Sequence, residues 1–161
     1  CAPRGDRRGR VIDCSREGFE QAMRVSCYSF IEMARLAEPM MNEGGAMMTM
    51  SYYGSDKVVA NYNMMGPVKA ALEATVRYLA AELGPKGVRV YAVSPGPLKT
   101  RASSGIGHFD ELIEAAVTRS PGRRLVDIAE VGRVVGFLVS GGASGMTGDT
   151  IYVDAGLHNV A

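Results

Sequence analysis

No two of the three cysteines, Cys1, Cys14 and Cys27, form a C-x-x-C pair, and their odd number argues against a disulfide framework. They read as reduced thiols of a cytoplasmic protein. The two histidines, His108 and His158, stand apart with no second ligand at helical spacing, so metal chemistry is not expected. No apolar run reaches the ~18 residues that span a bilayer, and no signal-peptide pattern is present. No membrane partner is expected. A net charge of +1 supplies no general attraction to nucleic acid. The basic cluster "RGDRRGR" at residues 4–10 has no interleaved aromatics and reads as a solvated loop. What remains is a chain of 161 residues, 47% hydrophobic and 22% charged, enough for one globular domain with a modest core.

Periodicity then divides the chain. Ser15 is placed to cap a helix, with Glu17 in its first turn where the helix dipole favours an anion. Phe19, Met23, Phe30, Met33 and Leu36 follow at roughly helical spacing, and Pro39 with Gly44-Gly45 marks the end. "AMMTMSYY" predicts a buried strand over ~46–52, and "GVRVYAVSPGP" a second over ~88–94. Between them lies a helix over ~62–83, closed by Gly84-Pro85. "RASSGIG" reads as a loop and "FDELIEAAV" as a short amphipathic helix. In "DIAEVGRVVGFLVS", Asp127 and Glu130 form an acidic variant of the capping box. Ile128, Val131, Val134, Val135, Leu138 and Val139 draw an apolar stripe down the helix that follows. "GDTIYVDAG" supplies a last strand over ~149–153. Strands separated by helices pair in parallel, so the three are expected to be neighbours in an α/β sheet. Three strands are few beside a mean of about five to six, and the chain opens abruptly on "CAPRGD". The front of the domain is therefore expected to lie outside this sequence.

The stretch "NYNMMGPVK" at 61–69 holds the candidate chemistry. In a continuous helix, seven residues at about 100° come to roughly 700°, which puts Tyr62 and Lys69 on one face about 10.5 Å apart along the axis. A phenol there donates to an oxyanion, and an ammonium holds hydroxyls or lowers the phenol's pKa. Two readings compete on the residues alone. Lys69, Glu73 and Arg77 form an i, i+4 ladder of the kind a solvated face shows. Tyr53 and Lys57 offer a second pair at closer spacing, although Gly54 interrupts it. Pro67 leaves the geometry of the first pair open. If the helix begins near Tyr62, Pro67 forfeits the bond to the Asn63 carbonyl at about 3 kcal/mol. If the helix begins with Pro67 in its first turn, proline is tolerated, Tyr62 falls in the preceding loop and the two-turn geometry fails.

The run "SYYGSDKVVANYNMMGPVKAALEATVRYLAAELGPKGVRVYAVSPGPLKT" resembles bacterial enoyl-[acyl-carrier-protein] reductases of the short-chain dehydrogenase/reductase superfamily. So do "ASSGIGHF", the "RR" before "EVG", and the closing "MTGDTIYVDAGLH". The likeness covers essentially the whole chain. It is specific, because this family separates its tyrosine and lysine by six residues where most of the superfamily uses three. It implies a partial Rossmann-type doubly wound parallel sheet, with residues 1–161 as the C-terminal part of a single NAD(P)-binding domain. Tyr62 corresponds to the tyrosine that stabilises the enolate oxygen, Lys69 to the lysine on the nicotinamide ribose, and Tyr52 to a second active-site tyrosine. Leu98, Lys99, Thr100, Arg101 and Ala102 correspond to the turn against nicotinamide and pyrophosphate. Ala2 corresponds to a substrate-pocket residue, and "ASSGI" to a mobile loop over the acyl chain. The implied cofactor is NADH, with NADPH as the alternative. The implied substrate is an enoyl group on acyl carrier protein, and the implied assembly a homotetramer. Pro67 and Pro95 depart from the family's pattern. Nothing in the sequence resembles the family's Gly-rich phosphate loop, so the 161 residues alone are expected to be inactive. Two alternatives stand beside this reading: another member of the superfamily using Tyr53 and Lys57 on a ketone or alcohol, or a non-catalytic chain that associates with full-length subunits.

Overall fold

The strand Arg89–Pro95 (β2) is buried at every position except its last, as expected of a central parallel strand covered on both faces. In the computed structural model, which describes residues 9–98 and, with side chains from 113, residues 109–161, β2 lies between Ala46–Met50 (β1) and Thr150–Val153 (β3). Both pairings are parallel. Met50 faces Val93 across the first, and Val93 faces Ile151 across the second. The expected neighbourhood of three strands is what the structure shows.

Alternation along β2 builds two cores. Val90 and Ala92 enter a cluster with Val68, Leu72 and Val76 of the helix Met65–Leu83 (α3). The same cluster takes Ala22 from Arg16–Met23 (α1) and Phe30 and Ala34 from Ser29–Ala37 (α2). Tyr91 and Val93 point the other way, against Val131 and Leu138 of Ile128–Val139 (α5). The helix Phe109–Arg119 (α4) adds Ala116 to a third, smaller cluster with Tyr53 and Leu157. Helices on both faces of a parallel sheet make this an α/β doubly wound arrangement of partial Rossmann type.

The local signals behave as their chemistry dictates. Ser15 accepts from the Gly18 N–H at 3.0 Å and starts α1. A five-residue π segment, Arg24–Tyr28, joins α1 to α2, where the sequence reads as one continuous helix. At α5 the Glu130 N–H donates to the Asp127 carboxylate at 2.6 Å, and the Asp127 N–H donates back to the Glu130 carboxylate at 2.9 Å, closing the capping box. The buried Arg89 guanidinium donates to the carbonyls of Leu138 and Ser140, at 2.9 and 3.1 Å. It thereby satisfies acceptors that the end of α5 leaves open.

The Pro67 question resolves in favour of the late start. α3 begins at Met65, three residues after the sequence estimate, and Pro67 lies in its first turn. The Asn63 carbonyl, which an N–H at position 67 would have sought, accepts from Gly66 at 3.2 Å instead. Tyr62 therefore precedes the helix, and the two-turn spacing to Lys69 does not apply.

Candidate active site

The chain leaves the sheet at Ser51, whose N–H still bonds the Val93 carbonyl at 2.7 Å. Tyr52 follows in extended conformation, and Tyr53–Ser55 turn back in a single 3-10 turn. The polypeptide returns to the same edge at Tyr62. There Asn61 and Asn63 both adopt left-handed backbone, with φ of 61° and 50°. Asparagine is one of the few side chains that tolerates this region. The Tyr62 N–H bonds the Val59 carbonyl at 3.2 Å, and its own carbonyl accepts from Met65 at 3.2 Å. The result is a tyrosine aimed by a turn, directly before a helix.

Two of the expected tyrosines meet here. The rings of Tyr52 and Tyr62 are tilted at 57° with centroids 5.0 Å apart, and the Tyr53 ring lies 4.6 Å from that of Tyr52. Burial pushes both phenols well above the ordinary tyrosine range. Neighbouring Tyr53 adds to the effect at Tyr52, and the Glu73 carboxylate adds to it at Tyr62. Both are thus neutral O–H donors at physiological pH. Lys69, one turn into α3, donates to the Met50 carbonyl at 2.6 Å. An ammonium has three donors, so two remain for another partner. Burial lowers the Lys69 pKa, and Glu73 and Cys27 work against that.

The ladder Lys69, Glu73, Arg77 is not a solvated face. Arg77 is exposed, but Glu73 is half-buried. Its carboxylate accepts from the hydroxyls of Ser51 and Ser55, the latter at 2.7 Å. The spacing reports a shared helix face, and what covers that face is the end of β1. The competing pair diverges: Tyr53 is buried at 8% exposure, whereas Lys57 is exposed and turns to the neighbouring Asp56 carboxylate at 3.5 Å. Gly54, which in the sequence only interrupts the Tyr53/Lys57 pair, has a second role. A Cβ built there would lie 2.6 Å from Cδ1 of Tyr62, so only glycine leaves room for that ring. His158, read as isolated, stacks on Tyr152 at 3.8 Å. Its Nδ1 lies 2.9 Å from the buried Asp154 carboxylate. The i, i+4 Asp–His spacing was the available signal.

Leu98 is placed against the cluster of Tyr91, Val93 and Val131. Lys99, Thr100, Arg101, Ala102, Ala2 and the "ASSGI" loop lie outside the described residues.

A parallel α/β sheet with a tyrosine pair and a lysine gathered at the carboxyl ends of its strands has the organisation of the short-chain dehydrogenase/reductase superfamily. Comparison with known proteins narrows this. The family described as "Enoyl-(Acyl carrier protein) reductase" matches residues 1–158. Enoyl-[acyl-carrier-protein] reductase [NADH] 1 of Rhizobium meliloti is 48% identical over 152 residues, 94% of this chain and 56% of that protein. The FabI enzyme of Synechocystis is 48% identical over 148 residues, 92% of this chain and 57% of that one. Among solved structures, the Aquifex aeolicus NADH enzyme superposes with a TM-score of 0.94 at 45% identity, covering 98% of this chain and 62% of that chain. The Bacillus cereus reductase, solved with NADP+ and indole naphthyridinone, gives 0.97 at 43% identity, covering all of this chain and 63% of that one. The chain belongs to the enoyl-(acyl carrier protein) reductase family. It spans somewhat under two thirds of the length of these relatives.

Proposed function

We propose that the protein takes part in NADH-dependent reduction of enoyl groups carried on acyl carrier protein, with Tyr62 and Lys69 as its working pair and Tyr52 beside them. The observation that carries this reading is the meeting of Tyr52 and Tyr62 at 5.0 Å beside the helix that bears Lys69. The relatives' names specify NADH, and the Bacillus cereus enzyme was solved with NADP+. NADH is therefore the expected cofactor and NADPH the alternative.

The residues present fit the nicotinamide end of such a cofactor. Among the described residues, Lys69 bonds only the Met50 carbonyl, and the fully buried Ser94 hydroxyl at the carboxyl end of β2 has no partner. Leu98 and the residues after it, 99–102, are the turn expected against the cofactor. When bound, the nicotinamide supplies the hydride. Addition at the β-carbon of a 2-enoyl thioester moves negative charge onto the thioester oxygen. Tyr62, held neutral, donates a hydrogen bond to that oxygen as the charge develops, which stabilises the transition state more than the ground state. Lys69 binds ribose hydroxyls and fixes the face from which reduction occurs. Tyr52 packs on Tyr62 and limits where its ring can go.

Residues 1–161 are read as part of one NAD(P)-binding domain of a cytoplasmic enzyme, with Ala2 at the substrate pocket. A homotetramer is the proposed assembly. Exposed Phe19, Tyr28, Met33 and Leu36, along α1, the π segment and α2, supply apolar surface suited to subunit contacts. The test is NADH oxidation with a 2-enoyl thioester by the protein extended to the full length of its relatives; residues 1–161 alone are expected to be inactive. Tyr62→Phe should lower turnover by about 10²-fold, the usual effect of losing one oxyanion donor. If Tyr62→Phe left turnover untouched while Tyr53→Phe abolished it, the ketone or alcohol reading would stand instead.

A further inference from the structure

We propose that Glu73 is the positioning residue of this site: its carboxylate ties the segment carrying Tyr52 to the helix carrying Lys69 and keeps a negative charge beside both Lys69 and Tyr62. The proposal rests on the reductase reading above, in that it gives those residues their tasks.

Ser51 and Ser55 bracket Tyr52, Tyr53 and Gly54. Both hydroxyls donate to one and the same Glu73 oxygen, Oε1. Ser51 is also where β1 ends, with its N–H on the Val93 carbonyl. One turn earlier on α3, Lys69 holds the carbonyl of the preceding residue, Met50. Consecutive residues at the strand's end are thus gripped by two side chains a single helical turn apart. A carboxylate drawn partly out of water needs hydrogen-bond partners, and the two hydroxyls supply them.

The charge has identifiable targets. Glu73 disfavours the phenolate at Tyr62 and at Tyr152, and it favours the ammonium at Lys69. Among the described residues, the other groups facing this corner are the Cys27 thiol, which acts on Lys69, Asp56 and Asp154, which act on Tyr152, and Tyr53, Tyr62 and Asp154, which act on Tyr52. Among these, Glu73 alone acts on both members of the working pair. Removing its charge therefore moves the loss of the Lys69 ammonium and of the Tyr62 phenol to lower pH together.

Two variants separate tie from charge. In Glu73→Gln the amide oxygen still accepts both hydroxyls but the charge is gone. In Glu73→Ala both are gone. Amide hydrogen exchange at Ser51, Ser55 and Asp56 reads the tie. Competitive acetylation of Lys69, followed by mass spectrometry against exposed Lys86, reads the charge. The expected result is faster exchange in Glu73→Ala only, and severalfold faster acetylation of Lys69 in Glu73→Gln at mildly alkaline pH. In turnover, the alkaline limb of the Glu73→Gln profile shifts to lower pH, which a merely structural role would not produce. Wild-type exchange in Glu73→Ala, or wild-type acetylation in Glu73→Gln, overturns the proposal. Neither readout needs turnover, so failure of the protein extended to the full length of its relatives to reduce enoyl thioesters would refute the reductase reading and leave the Glu73 result standing by itself.

Discussion

Gly54→Ala adds one methyl group where the structure has no room for it. The new Cβ would sit 2.6 and 2.8 Å from Cδ1 and Cε1 of Tyr62 and 3.4 Å from a Val59 methyl. Carbon atoms pack at about 3.5–4.0 Å, so the ring must retreat by about 1 Å. The strain is steric only, because the φ of Gly54 lies outside the left-handed region. Retreat is constrained on two sides. The Tyr52 ring stands 5.0 Å away, and the Tyr62 backbone is bonded through both its N–H and its carbonyl, each at 3.2 Å. A misplacement of about 1 Å in a positioned group costs about 10²-fold in rate, or roughly 2.7 kcal/mol of barrier at about 1.36 kcal/mol per tenfold. Overpacking should cost a further 1–3 kcal/mol or so of stability. Lys69 is anchored through Met50, away from the new methyl, so cofactor affinity should hold. The assay is turnover at saturating enoyl thioester, with a cofactor titration and a thermal melt on the same preparation. A folded Gly54→Ala protein with near wild-type turnover would refute the claim that this glycine aims Tyr62. Equal losses in turnover and cofactor affinity would show that the displacement spreads to α3.

Three further outcomes are expected. Lys69→Ala should weaken NADH binding about 10–100-fold, since a charge-assisted hydrogen bond is worth about 1.5–3 kcal/mol; unchanged affinity in a calorimetric titration would remove Lys69 from the cofactor's contacts. Pro67→Ala should lower stability by only about 0.4–1 kcal/mol, because the proline sits in the first turn and acts through the unfolded chain; a much larger shift in the denaturant midpoint would mean that its ring carries packing. Glu130 pairs with Arg124 at 2.7 Å, and this partner first, then the Asp127 N–H, holds its carboxyl down at about 2 from an ordinary 4.5. A depressed carboxyl stabilises above its unfolded pKa, so the melting difference between wild type and Glu130→Gln should be full above that ordinary value and vanish as pH falls toward about 2. It should also shrink in high salt, because the pair is at the surface.

What the sequence made legible was whatever a few neighbouring residues decide. The three strands declare themselves through short apolar runs, and the capping box at Asp127 and Glu130 through a spacing of three. The helix around "AALEATVRYLAAELG" is equally plain in its middle. Its start is not, because a proline is costly inside a helix and harmless in a first turn, and the two cases have the same sequence. Glu73 was misread for a different reason. Spacing at i, i+4 says which residues share a helix face, but the partners on that face, Ser51 and Ser55, come from 22 and 18 residues away. His158 hid likewise, since its link to Asp154 is formed in a turn beyond β3 rather than within an α-helix.

The six residues between Tyr62 and Lys69 can now be assigned their work. Asn63 and Met64 complete a turn, and Met65 to Val68 make the first helical turn before Lys69. The lysine's direction is therefore fixed by helix phase, while the tyrosine's is fixed by the turn and by what packs on it. That division shifts the burden of accuracy onto small residues. A Cβ on Gly66 would meet the Gly54 carbonyl at 2.9 Å, so the first turn of α3 approaches the 3-10 turn as closely as two glycines permit. Gly54 in turn receives the Tyr62 ring. One contact surface, built on two glycines, thus sets both how near α3 comes to the end of β1 and where the phenol points. A helix-borne tyrosine would need no such surface, because its direction would follow from the helix itself. The sensitivity expected at Gly54 is the consequence of having taken the tyrosine off the helix.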